Sequence, residues 1–200
     1  MNIVTHLQMG GMLYEGLSEV VELDRKSFIY GNIEPDCALA TLLPPHMMTN
    51  YLEWVLTLTD CLIEKDLTRN VLSEGLGILC HFLSDFCCLY HAKEEKFHNL
   101  IGHVIYEKRL HNHHKKKESS FFKEVFSFKP EPVQDFRQTI INSREEYFSQ
   151  PHSLGLDLFC AYRLCNLICQ SVVYYRLSSI ICDESVYYGQ LGYIKLEGAK

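Results

Sequence analysis

Two histidines and an aspartate interrupt an otherwise apolar run, GILCHFLSDFCCLYH, at residues 77–91. His81 and Asp85 are four apart, which puts their side chains on one helix face a single turn from each other. An ionised carboxylate among apolar neighbours is normally paired or metal-bound, because its desolvation is costly. For this pair alone, a buried His–Asp hydrogen bond that orients a core is the simpler reading. The pattern repeats, however. His103 and Glu107 are again four apart, on what should be the next helix, and His91 lies between the two pairs. Upstream, Asp36 and His46 flank a Pro-rich stretch, and His6 falls in the first turn of the first expected helix. Imidazoles and carboxylates carried by apolar helices form a coherent ligand set for divalent cations of the hard-to-borderline kind. Zinc fits, and manganese or iron would be accepted by the same groups.

The elements that must position these residues are helical. Periodicity of the 3.6-residue type dominates, strand-like alternation is scarce, and no internal repeat is visible. The spacing predicts a helix over 5–23 opened by Thr5 as N-cap. A loop should follow, holding Tyr30-Gly31-Asn32, with Asn32 as a turn residue, and Pro35. Beyond Leu43-Pro44-Pro45, helices are expected over 46–65, 68–90 and 94–110, with Gly75 and Gly77 serving close packing in the second of these. The polar, basic run HNHHKKKESS at 111–120 reads as an exposed loop, so His111, His113 and His114 are set aside as solvated. Two more helices fit 131–148 and 154–181, and the tail after Asp183 has no clear period. The expectation is an all-α, single-domain bundle spanning 1–200.

Bulk properties narrow the function. A net charge of −6 argues against a nucleic-acid binder that relies on a basic surface, but not against metal-dependent cleavage of phosphodiesters. The N-terminus lacks the basic and apolar regions of a signal peptide, and the longest apolar stretch, 158–182, is interrupted by Arg163, Asn166, Gln170 and Arg176. With nine cysteines and no export signal, a cytoplasmic protein with reduced thiols and no transmembrane segment is expected. Cys160, Cys165 and Cys169 read as small core residues. A di-iron centre needs more than the one Glu-x-x-His arrangement, Glu95 and His98, that is present.

In these motifs the chain resembles the zinc-dependent phospholipase C family, which shares its fold with the single-strand-specific zinc nucleases. The family's His-x3-Asp followed by His six residues later reads here as His81, Asp85 and His91. Its His-x3-Glu with Tyr before the Glu is His103, Tyr106 and Glu107, and its early Asp after a Gly and ahead of a His is Gly31, Asp36 and His46. Its first-helix His is matched by Thr5-His6-Leu7, so the ordered motifs span about residues 3–110.

The resemblance implies a phospholipase C-like helical bundle around two to three zinc ions. Asp36, His46, His81 and Asp85 would hold one, and His91, His103 and Glu107 a second. His6 and the other oxygen of Asp85 would contribute to a third. Secreted members complete that third site with an N-terminal Trp; here the group that would reach is the amine of Met1. Three acids offset half the charge of three zinc ions, leaving a site suited to phosphate. The implied reaction is attack of metal-bound hydroxide on a phosphodiester, with Asp36 accepting a proton from the water. The expected partner is a phosphoester or phospholipid-like small substrate, not nucleic acid. Cys37 stands where the family's choline pocket has an aromatic residue, so phosphatidylcholine is not supported. Two alternatives remain: a zinc-binding scaffold of the same fold without turnover, and a single-strand nuclease-like enzyme.

Overall fold

Helix N-caps set where the chain turns helical. In the computed structural model, which describes residues 1–37, 44–64, 66–92, 100–126 and 130–197, eight helices are seen among the described residues. Side chains at 100, 117–124 and 180–197 lie outside this description. The first helix, α1 (Ile3–Leu17), is capped by Asn2, whose side chain accepts the Thr5 N–H at 2.9 Å. Thr5, expected as the cap, is therefore inside the helix.

The segment expected as a loop around Tyr30-Gly31-Asn32 and Pro35 is a helix, α2 (Arg25–Cys37). Pro35 removes one backbone donor, the partner of the Gly31 carbonyl, but sits near the helix end, where the loss is tolerated. Asn32 is accordingly a helical residue. After α3 (Met48–Glu64) comes α4 (Arg69–Phe86), capped by Thr68 and ended by the turn at Cys87. The one-turn α5 (Leu89–Ala92) follows.

The expected loop at 111–120 is likewise helical, because α6 (Leu100–Phe126) runs through it. Tyr106, Leu110 and His114 recur every four residues and are all buried, so one inward stripe continues beneath the polar run. His114 is not solvated: its Nε2 meets the Tyr162 hydroxyl at 2.5 Å. The start of the helix expected over 94–110, with Glu95 and His98, lies outside the described residues. Next, α7 (Phe136–Ser149) is capped by Asp135, and α8 (Leu154–Glu197) begins where expected but continues past residue 183.

Almost every residue of α4 from Gly75 to Phe86 is buried, and α2, α3 and α8 pack around it. Across the α4–α8 contact, Cys80 Sγ lies 3.4 Å from Cys169 Sγ, both fully buried, with Cys165 beside them. Arg176 of α8 donates to the carbonyls of Leu62 (3.0 Å) and Leu67 (3.4 Å), a cation at the C-terminus of α3. Leu154–Ser179 is long and apolar enough to cross a membrane by length and composition alone. Two thirds (67%) of its most apolar 18-residue window is buried inside the fold, as in a core helix.

Backbones of α2 and α4 touch at two glycines. A Cβ at Gly77 would collide with the Phe28 carbonyl, and one at Gly31 with the Glu74 carbonyl. Gly77→Ala should therefore wedge the helices apart and destabilise the fold by about 1–3 kcal/mol, the overpacking range. The same wedge separates Asp36 on α2 from His81 on α4, so zinc content should fall together with the urea midpoint. A variant matching the parent in both would refute this account of the contact.

Candidate metal centre

Five elements and one connecting segment bring all eight expected residues to one place. His6 comes from α1, Asp36 from the last turn of α2, and His46 from the segment before α3. Central α4 supplies His81 and Asp85, α5 supplies His91, and α6 supplies His103 and Glu107. Asp85, fully buried, is the hub. Its Oδ2 lies 3.4 Å from His46 Nδ1, 3.6 Å from His81 Nε2 and 3.3 Å from His91 Nδ1. Its Oδ1 lies 3.4 Å from His6 Nε2. Asp36 Oδ1 is 3.7 Å from His46 Nδ1 and 3.8 Å from His81 Nε2. On the other side, Glu107 Oε1 is 3.1 Å from His103 Nε2 and 3.7 Å from His91 Nε2, and the two imidazoles are 3.3 Å apart.

These separations test the fit of a metal. Two zinc bonds of about 2.0–2.1 Å at a tetrahedral angle place their donors about 3.3 Å apart, close to the spacings seen. Three groups of donors have all their atoms within 4.8 Å of one another and use only expected residues: His6, His81 and Asp85; Asp36, His46 and His81; and His91, His103 and Glu107. His6 Nε2 and Asp85 Oδ2 are buried without a hydrogen-bond partner among the described residues, an arrangement a cation would satisfy. The donor set fits zinc.

Neighbouring groups aim the rings. His81 Nδ1 lies 3.0 Å from the Asn32 carbonyl, an acceptor that fixes the proton on Nδ1 and turns the Nε2 lone pair toward Asp85. Asn32 is held in turn by its amide donating to the Gly77 carbonyl at 3.3 Å. Ser84 donates its hydroxyl to the His81 carbonyl, leaving its oxygen 3.4 Å from His6 Nδ1. The rings of His6 and His81 stack at 4.0 Å, and His103 stacks on Tyr90 at 5.1 Å.

Burial and charge set the protonation states. Burial pushes His81 well below the usual imidazole value and His91 down to about 4, so both are neutral near neutrality, as metal ligands must be. Burial alone would raise Asp85, but His91, the Met1 amine and His6 around it hold it well below the carboxylate range. Glu107 is likewise held low against burial, by hydrogen bonds from His103 and His91. Asp36 goes the other way, raised by burial.

Three further groups complete the site. The amine of Met1, fully buried, donates to Asp85 Oδ1 and lies 3.1 Å from His91 Nε2 and 4.0 Å from Glu107 Oε1. Burial pulls its pKa down, yet the acids around it, Asp85 foremost, raise it to about 11. Cys88 is not among the residues expected from the sequence; its sulfur groups with Asp85 and His91. Its thiol is pushed up to about 11 by burial. Asp157 was also missed. Fully buried, it accepts from the hydroxyl of Tyr106 and from that of Tyr147 at 2.7 Å, and lies 3.0 Å from His152 Nε2. The Tyr106 oxygen in turn accepts the Leu89 N–H at 3.3 Å, tying the turn that carries His91 to the helix that carries His103 and Glu107. The signal existed: Asp157 interrupts an apolar run just as Asp85 does.

The described residues form an all-helical bundle that gathers His, Asp and Glu donors, able to hold metal, around one buried carboxylate. The chain belongs to the zinc-dependent phospholipase C family, whose model matches residues 5–155. No curated protein and no solved structure matches it.

Proposed function

We propose that the protein is a zinc-dependent phosphodiester hydrolase acting on a phosphoester of phospholipid type. The observation that carries this reading is the Asp85 carboxylate, fully buried, with one oxygen toward His46, His81 and His91 and the other toward His6 and the Met1 amine. In this reading Asp36, His46, His81 and Asp85 hold one ion, His91, His103 and Glu107 a second, and His6 with Asp85 contribute to a third. Bound zinc supplies an ionised water at neutral pH and a Lewis acid for the phosphoryl oxygens. The chain's own part is to fix the donors, exclude bulk water on the His6–His81 side and take up a proton. Asp36 is assigned that last role because it is partly exposed, at the edge of the donor cluster and not at its buried hub. A cytoplasmic location belongs to the same proposal and is supported by the free thiols of all eight described cysteines.

Zinc-loaded protein should hydrolyse bis(p-nitrophenyl) phosphate, lose that activity on chelation and regain it on zinc addition. Full zinc occupancy without turnover across a panel of phosphodiesters would instead favour the scaffold reading. Cleavage confined to single-stranded DNA or RNA would favour the nuclease.

A further inference from the structure

The outward face of α6 carries three of the exposed large apolar side chains, two of them the most exposed of that kind among the described residues. Ile101 (77% exposed), Val104 (67%) and Ile105 (47%) are spaced to share one helix face, and they flank His103 and Glu107 in sequence. Lys108 and Lys115 continue the same face, and Arg109 and Lys116 lie next to it, all exposed. From Ile101 to Lys115 the stripe runs about 21 Å at 1.5 Å per residue. Large apolar side chains left this exposed mark an interaction site when they cluster. His103 and Glu107, partly exposed, lie on the same helix but on a different face of it. A second set of exposed apolar residues, Ile3, Val4 and Leu7, follows Met1, whose amine lies 4.0 Å from Glu107.

We propose that this face of α6 docks the protein on an anionic lipid bilayer, with Ile101, Val104 and Ile105 entering the headgroup–acyl boundary and Lys108 and Lys115 meeting the lipid phosphates. Local charge selects this occupant: the chain carries a net −6, yet from Ile101 to Lys116 the charged residues of this face are all cations, with Asn112 between them. Lysines on such a face lay their alkyl stems along the apolar surface while the ammonium reaches the headgroups. The inference rests on the phospholipid-type reading of the site and deepens it, since an amphiphilic ester has to be drawn from a surface.

The test is sedimentation of the full-length, zinc-loaded chain with phosphatidylcholine vesicles, with and without phosphatidylserine. Binding is expected to the anionic vesicles and to weaken with salt. The triple variant Ile101→Ser, Val104→Ser, Ile105→Ser should bind at least about tenfold more weakly, with turnover of a soluble diester unchanged. Lys108→Glu with Lys115→Glu tests the same face through charge, and should lower binding to anionic vesicles even if the triple variant fails to fold. Absent vesicle binding, or equal binding by both variants and parent, overturns the docking face. So does concentration-dependent self-association that the serine variant abolishes. Soluble turnover without vesicle binding sinks this proposal and leaves the hydrolase reading standing; vesicle binding without any turnover does the reverse.

Discussion

Asp85→Asn should strip the protein of zinc and reduce phosphodiester turnover by on the order of a thousandfold or more, roughly 4 kcal/mol of transition-state stabilisation. The substitution keeps the side chain's shape, so packing around the fully buried position is preserved. What changes is charge. One oxygen becomes an amide nitrogen whose hydrogens must point at His46, His81 and His91, or at His6 and the Met1 amine. A donor facing those groups cannot also be a ligand. The Met1 ammonium loses its closest counter-charge in a buried position, and breaking such a pair from one side typically costs about 3–5 kcal/mol. Elemental analysis and denaturant unfolding of parent and variant measure both effects. Full zinc content together with full turnover in the variant would end the case for Asp85 as the hub.

Acidification should produce the second large effect. The folded pKa values of His81 and His91 lie below the unfolded value of 6.5, for His91 at about 4. For an imidazole shifted down, the unfolded chain binds protons first. Its contribution to stability is whole above pH 6.5 and is lost as pH falls toward about 4. For His91 alone this is worth roughly 3 kcal/mol. Zinc affinity should drop in the same window, because protons and metal compete for the same lone pairs. Asp85 and Glu107, whose folded pKa values are depressed, keep their contribution above the usual carboxylate range and lose it only at lower pH. Unfolding free energy of the metal-free protein and zinc retention on dialysis should both begin to fall below pH 6.5. Profiles that stay flat from neutrality to pH 4 would contradict the burial argument.

Two of the candidate donor pairs, His81 with Asp85 and His103 with Glu107, were legible because charged or imidazole groups spaced by four in apolar helices have few uses. His6, Asp36, His46 and His91 were legible only through the motifs of the resemblance, and the structure brings all eight together. Helix α2 was hidden by local signals: Gly31-Asn32 and Pro35 read as breakers, whereas Gly31 is there for the close approach of α4. The extension of α6 was hidden in the same way, since only the four-residue recurrence through His114 reveals a buried stripe under a basic run. Cys88 and the Asn32 carbonyl act through tertiary proximity, which spacing along the chain does not encode.

Asp157 bears on the order in which the site is assembled. A fragment ending with α6 would carry every candidate donor, yet the hydroxyl that clamps the His91 turn would have no carboxylate to hold it. That partner is 51 residues further on, and closing so long a stretch is an entropic cost met only when the last helices dock. High-affinity capture of zinc should therefore be a late event in folding, following the arrival of α8 rather than directing it.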